Sequence, residues 1–104
     1  MREPTFYILA ALLDGPLHGY AIIGVAEDLS KGRVRLTAGT LYGALDRLRD
    51  EHLVAEAGTE VVRGRSRRYY RLTDAGAAAL REEAARMEAA AALVRVRAVR
   101  PGDA

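Results

Sequence analysis

The sequence predicts a mainly α-helical fold with a small β-wing: a winged helix-turn-helix followed by a long C-terminal dimerisation helix. Three observations predict it. Residues 37–48 combine one apolar stripe with one small or polar face. Residues 61–72 have the pattern of a hairpin and hold five arginines and no acidic residue. From residue 74 onward the chain is rich in Ala, with Arg and Glu, residues that favour helix.

Taken in order, Pro4 suits the first turn of a helix, and Phe6, Leu9, Ala10 and Leu13 repeat at helical spacing up to the break at Asp14-Gly15-Pro16. A second helix is expected over about residues 19–29, with Ile22, Ile23, Ala26 and Leu29 on one face, ending at Ser30-Lys31-Gly32. Arg33-Val34-Arg35-Leu36 alternates and reads as a short strand or an extended link. Thr37 is placed to cap a third helix, in which Leu41, Leu45 and Leu48 form the core face and Thr40, Gly43, Ala44 and Arg47 the opposite one. Residues 53–62 are strand-like and interrupted by Gly58. Arg63-Gly64-Arg65-Ser66 is the turn, and residues 67–72 return, with Arg68, Tyr70 and Leu72 on one face and Arg67, Tyr69 and Arg71 on the other. Thr73 caps the last helix, expected from about residue 74 to 99, with Pro101-Gly102 marking its end and a frayed tail beyond. The expected division is residues 1–73 for the winged domain and 74–104 for the dimerisation helix and tail.

A length of 104 residues allows one domain with one core. The net charge is only +2, so the clustering of arginine is more telling than the total. With no cysteine, disulfides, thiol chemistry and Cys-ligated metals are excluded. His18 and His52 are too far apart in sequence to suggest a metal site, and no cofactor is expected. Catalysis is not expected either: there is no clustered His and no phosphate-cradling Gly loop, and the adjacent Glu82 and Glu83 diverge on a helix. The N-terminal apolar run is too short for a signal peptide, and no stretch reaches the length of a membrane span. These features read as a soluble cytoplasmic protein without a membrane partner.

The third helix could lie in the major groove of double-stranded DNA. Its leucines anchor it, Thr37, Gly39, Thr40 and Gly43 allow close approach, Arg47 offers donors, and Tyr42 could reach a phosphate. An ordinary solvated helix would look similar in isolation. The hairpin beside it decides the reading, because Arg63, Arg65, Arg67 and Arg68 can replace counterions along a nucleic-acid backbone. His18 and Tyr20, at the start of the second helix, are further phosphate candidates; the structural alternative is that Gly19 allows close packing and Tyr20 fills the core edge. In the last helix, Leu80, Ala84, Met87, Ala91, Val94 and Ala98 step by 4, 3, 4, 3 and 4, a heptad seam with Glu82 and Arg86 paired outside it. That seam implies a homodimer, assisted by Phe6, Tyr7 or Leu9 from the first helix. The alternative reading of the whole is a winged-helix module for protein or RNA.

Four stretches now add a resemblance: Ile8-Leu9-Ala10-Ala11-Leu12, Leu17-His18-Gly19-Tyr20-Ala21-Ile22, Gly39-Thr40-Leu41-Tyr42 continuing to Leu45 and Leu48, and Arg68-Tyr69-Tyr70-Arg71-Leu72-Thr73-Asp74-Ala75-Gly76. In order and spacing the chain resembles the PadR family of bacterial transcriptional regulators, in its small form with one C-terminal dimerisation helix. The resemblance implies a homodimer on a roughly palindromic operator, and repression released by a small-molecule effector. It places the recognition helix from Thr37 and the wing over residues 61–72. Two positions depart from the family pattern: Gly43 stands where Pro is common, and His52 where Gly is common. Relatives that hold flat aromatic compounds use a Trp, and this chain has none.

Overall fold

The structure, a computed structural model, describes residues 1–98. The chain runs α1 (Glu3–Ala11), β1 (Leu17–His18), α2 (Gly19–Leu29), α3 (Ala38–Asp50), β2 (Val54–Val62), β3 (Arg65–Leu72) and α4 (Asp74–Ala98). The expected helix end near Val99, the Pro101-Gly102 stop and the frayed tail lie outside the described residues.

The helix boundaries follow from local chemistry. Pro4 occupies the first turn of α1. The helix stops two residues before Leu13, because the amides of Leu12 and Leu13 bond the carbonyls of Leu9 and Ala10, each at 3.1 Å, in a tightened last turn. Leu13 is therefore exposed, and the buried face is Ile8, Leu9, Ala11 and Leu12. The second helix keeps its expected limits and buries Ile22 and Ala26, while Leu29 turns outward. It ends in a Schellman motif: Gly32 N–H bonds Glu27 O at 2.8 Å and Lys31 N–H bonds Asp28 O at 3.1 Å. The third helix ends the same way, with Leu53 N–H on Leu48 O and His52 N–H on Arg49 O, both at 2.9 Å. His52 holds φ 63°, a left-handed conformation that glycine adopts without penalty.

Residues 33–36 form an extended link, not a strand. Buried Ser30 organises its start, its hydroxyl donating to Glu27 O at 3.1 Å and accepting from Val34 N–H at 2.9 Å. A two-pronged Arg33–Glu3 pair, at 2.9 and 3.0 Å, ties the link to α1.

The sheet is antiparallel with order β1-β3-β2, so the arginine-bearing strand is its centre. The turn is tighter than the four residues expected. Arg63 (φ 52°) and Gly64 (φ 76°) alone make it, a pattern suited to a two-residue hairpin, and Arg65 already pairs with Val62. The interruption at Gly58 is a bulge between Glu56 and Thr59. The unforeseen strand, β1, pairs Leu17 with Tyr70 and His18 with Tyr69.

The core joins Ile8, Leu9, Ile22, Leu41, Leu45, Leu48, Val54, Tyr70 and Leu80. The fourth helix is attached only by its first turns. Thr73 Oγ1 accepts from Gly76 N–H at 2.9 Å and donates to His52 O at 2.7 Å. Gly76 presses against the Leu53 carbonyl, where a Cβ would collide with backbone. Beyond Ala84 the helix is exposed. The radius of gyration, 16.8 Å, exceeds the roughly 13 Å expected of a compact chain this size, because α4 projects from the body. Arg86 pairs with Glu83, at 2.8 Å, in place of the expected Glu82. No helix among the described residues is long and apolar enough to cross a membrane.

Two glycine substitutions should act with opposite sign. Gly76→Ala forces backbone apart and should cost about 2 kcal/mol or more, whereas Gly43→Ala, with open space above it, should add up to ~1 kcal/mol of helix stability. Thermal or urea melts of both variants check this.

Candidate nucleic-acid interface

The third helix is anchored from below. Leu41, Leu45 and Leu48 are fully buried, each contributing about 1.5–3 kcal/mol through burial. Ala44, expected on the outer face, is buried with them. The exposed stripe is instead Gly39, Gly43, Asp46 and Asp50, at spacings of 4, 3 and 4, with Tyr42 on one flank and Thr40 and Arg47 on the other. The helix start is fixed by Thr37, whose hydroxyl accepts from Thr40 N–H at 3.2 Å and donates to Thr40 Oγ1 at 3.0 Å. Thr37, Gly39 and Thr40 thus form a small-featured tip.

The start of α2 sits beside the wing because β1 pairs with β3. His18 caps α2, its Nδ1 accepting from Ala21 N–H at 3.3 Å, and its ring meets Tyr69 edge-on with centroids 5.6 Å apart. Tyr20 does not fill the core edge; it is 67% exposed. Tyr42 leans from α3 across Gly19, so closely that any Cβ at residue 19 would displace the phenol. Together His18, Gly19, Tyr20 and Tyr42 form one wall of an open groove of about 320 Å³, and Arg63, Arg65, Arg67 and Arg68 form the other. Seven expected contact residues from three separate segments, including both tyrosines and four arginines, therefore share one groove.

The arginines are not equivalent. Arg68 lies 3.4 Å from Glu56, and the neighbouring Tyr70 hydroxyl and Glu56 carboxylate both strengthen its hold on its proton. Glu56 also reaches Arg49 at 3.4 Å, and Arg49 reaches Asp46 at 3.7 Å. An alternating chain of charge, Asp46–Arg49–Glu56–Arg68, thus runs from the recognition-type helix to the wing. Such exposed pairs are each worth at most about 1 kcal/mol, so the chain orients side chains more than it stabilises the fold. Tyr69 donates to Glu60 at 2.6 Å, and that bond, followed by partial burial, raises its phenol above the ordinary range. By contrast, Arg63, Arg65, Arg67 and Arg71 form no salt bridge among the described residues, and the first three line the groove, leaving their guanidinium groups for an anionic partner.

Arg47 is set apart. It pairs with Glu51 at 3.8 Å and faces Arg2 and Thr5 at the start of α1, away from the wing. Asp46, Arg49, Glu56 and Glu60 were missed by sequence reasoning. Only Asp46 carried a usable signal, its register with Gly39 and Gly43. Of the expected dimerisation residues, Leu9 and Leu80 are withdrawn, since both are buried in the chain's own core. Phe6 is half-buried and Ala84 partly covered, while Met87, Ala91 and Val94 are exposed along α4.

Residues 8–82 match the model of the Transcriptional regulator PadR-like family, which is most of the chain. A transcriptional regulator of Mycobacterium tuberculosis is 42% identical over 83 residues, 79% of this chain and 73% of that protein. An uncharacterized 37.1 kDa protein in transposon TN4556 of Streptomyces fradiae is 44% identical over 83 residues, 80% of this chain but only 22% of its own length. Bacillus subtilis PadR in complex with operator DNA superposes with a TM-score of 0.68 at 26% identity, covering 78% of this chain and 46% of that one.

Proposed function

The chain belongs to the PadR-like family of transcriptional regulators, and on that premise we propose that it represses transcription as a homodimer on a palindromic operator and is released by a small-molecule effector. It is a DNA-binding regulator, not an enzyme. The observation that carries the proposal is the shared groove: Tyr42, which flanks the Gly39–Gly43 line of α3, shares it with Arg63, Arg65 and Arg67, which form no salt bridge among the described residues. The operator-bound state of Bacillus subtilis PadR supports placing double-stranded DNA there.

In this reading residues 1–73 bind DNA and residues 74–104 join two copies. Thr37, Gly39, Thr40 and Gly43 enter the major groove, with Arg47 at one flank. Tyr42, Tyr20 and His18 line the phosphates, and the wing arginines follow the backbone. Arg68 is partly held by Glu56, so Arg63, Arg65 and Arg67 supply most of the counterion release. The exposed Met87, Ala91 and Val94 stripe meets its two-fold mate. Alanine buries little area, so Phe6 and Tyr7 of α1 assist. A cavity of about 200 Å³ between Phe6, Tyr7, Glu83 and Met87 supports an effector acting where α1 and α4 meet. A role on DNA supports a cytoplasmic location.

Arg65→Ala with Arg67→Ala should weaken all duplexes alike and reduce the slope of log K against log salt by about 2. Thr40 or Arg47 substitutions should instead change sequence preference. Fluorescence anisotropy over a salt series, with duplex RNA as comparison, checks this; tighter binding to RNA than to DNA would favour an RNA-binding module.

Met87→Glu with Val94→Glu should convert the dimer to a monomer with its helical dichroism intact. Light scattering on the purified protein reads the change, and an unaltered dimer would place the interface elsewhere.

A further inference from the structure

We infer that Asp46 is a specificity-determining residue that selects cytosine in the major groove. The inference rests on the placement of α3 in the groove proposed above, and it concerns a residue that placement does not itself assign.

Asp46 continues the line of Gly39 and Gly43 along the centre of the exposed face of α3. Neither glycine presents a side chain, and there is open space above both. Asp46 is therefore the first side chain on that line able to touch a base. Its side chain is 60% exposed and lines the open groove between α3 and the wing with Tyr42, Ser66, Arg68 and Tyr70.

A carboxylate in this position is unexpected on electrostatic grounds. It repels every phosphate, whatever the sequence, and so lowers affinity for all duplexes. That cost is offset only where a base presents a donor. In the major groove the donors are cytosine N4 and adenine N6. Adenine sets its N7 acceptor beside N6, which opposes the second carboxylate oxygen. Cytosine N4 has an acceptor on one side only, the paired guanine's O6, whereas adenine N6 lies between its own N7 and the paired thymine's O4; cytosine is therefore the base a carboxylate accepts best.

The surrounding charges hold Asp46 in place for this contact. Arg49, 3.7 Å away, is itself tied at 3.4 Å to Glu56, which also reaches Arg68 on the wing. The carboxylate that reads the base is thereby linked to the strand that grips the backbone. Arg49 and Glu56 act as positioning residues.

The test is selection of bound duplexes from a random pool with the full chain and with Asp46→Asn and Asp46→Ala. Both changes are at an exposed position, and helical dichroism confirms folding. The wild type should enrich cytosine at one position in each half-site. Asp46→Asn should enrich adenine there, because an amide matches the N6 and N7 pair. Asp46→Ala should enrich no base there, bind its best duplex on the order of ten-fold more weakly and bind unrelated duplexes more tightly. The same enriched bases from all three proteins would overturn the inference, as would loss in Asp46→Ala of a preference for any base but cytosine. A wild type that enriches no duplex at all would overturn the placement of α3 in the groove, a failure distinct from that of the cytosine contact.

Discussion

The burial of Leu41, Leu45 and Leu48 under α3 is the constraint on which the outer surface depends. With those three side chains and Ala44 committed to the core, the helix has one rotation about its axis. That rotation puts Gly39, Gly43 and Asp46 outward, Tyr42 toward the wing, and Arg47 toward the start of α1. A change of one residue in register would bury Tyr42 or Asp46 and expose leucine, at a cost of several kcal/mol. The face presented to a ligand is thus set by hydrophobic packing on the side away from it.

The second constraint is the central place of β3. Its inward Tyr70 is buried in the core, while Arg65, Arg67 and Arg68 on the same strand remain outside. Pairing on one edge with β1 fastens His18 and the start of α2 beside the wing, and pairing on the other with β2 brings Glu56 and Glu60 beneath the arginines. One strand therefore delivers cationic groups, holds the start of α2 with Tyr20 beside them, and pairs with the strand whose acids hold part of the charge. The bond between Tyr69 and Glu60 persists while the phenol keeps its proton. Because the folded phenol titrates above its ordinary range, any stability it contributes is present at neutral pH and lost as pH rises through that raised value.

Local signals were legible in the sequence and nonlocal ones were not. Thr37 and Thr73 are caps whose partners lie three residues away, so the starts of α3 and α4 could be read directly. The limits of α2 were equally local. A two-residue strand has no periodicity, and β1 exists only because Tyr69 and Tyr70 pair with it across more than fifty positions. Ala44 is small enough for either face, and its burial depends on what α2 and the sheet leave open. Heptad spacing places Leu80, and helix 1 places Leu9, against a second copy, but α1 and α4 cover each other near the domain and bury both. Arg68 looked as free as its neighbours until the register placed Glu56 beside it. The departure at His52 was visible, but its meaning required the φ of 63° that ends α3.

The central claim is that the outward line of α3 and the wing residues Arg63, Arg65 and Arg67 form one DNA-binding surface, separate from the exposed stripe of α4. Amide chemical-shift changes on adding a duplex chosen by selection test it most directly. The account predicts shifts clustered at Gly39, Thr40, Gly43 and Asp46 and at Arg63, Arg65 and Arg67, with Met87, Ala91 and Val94 unmoved. Shifts centred on α4 with the wing and α3 silent would contradict it.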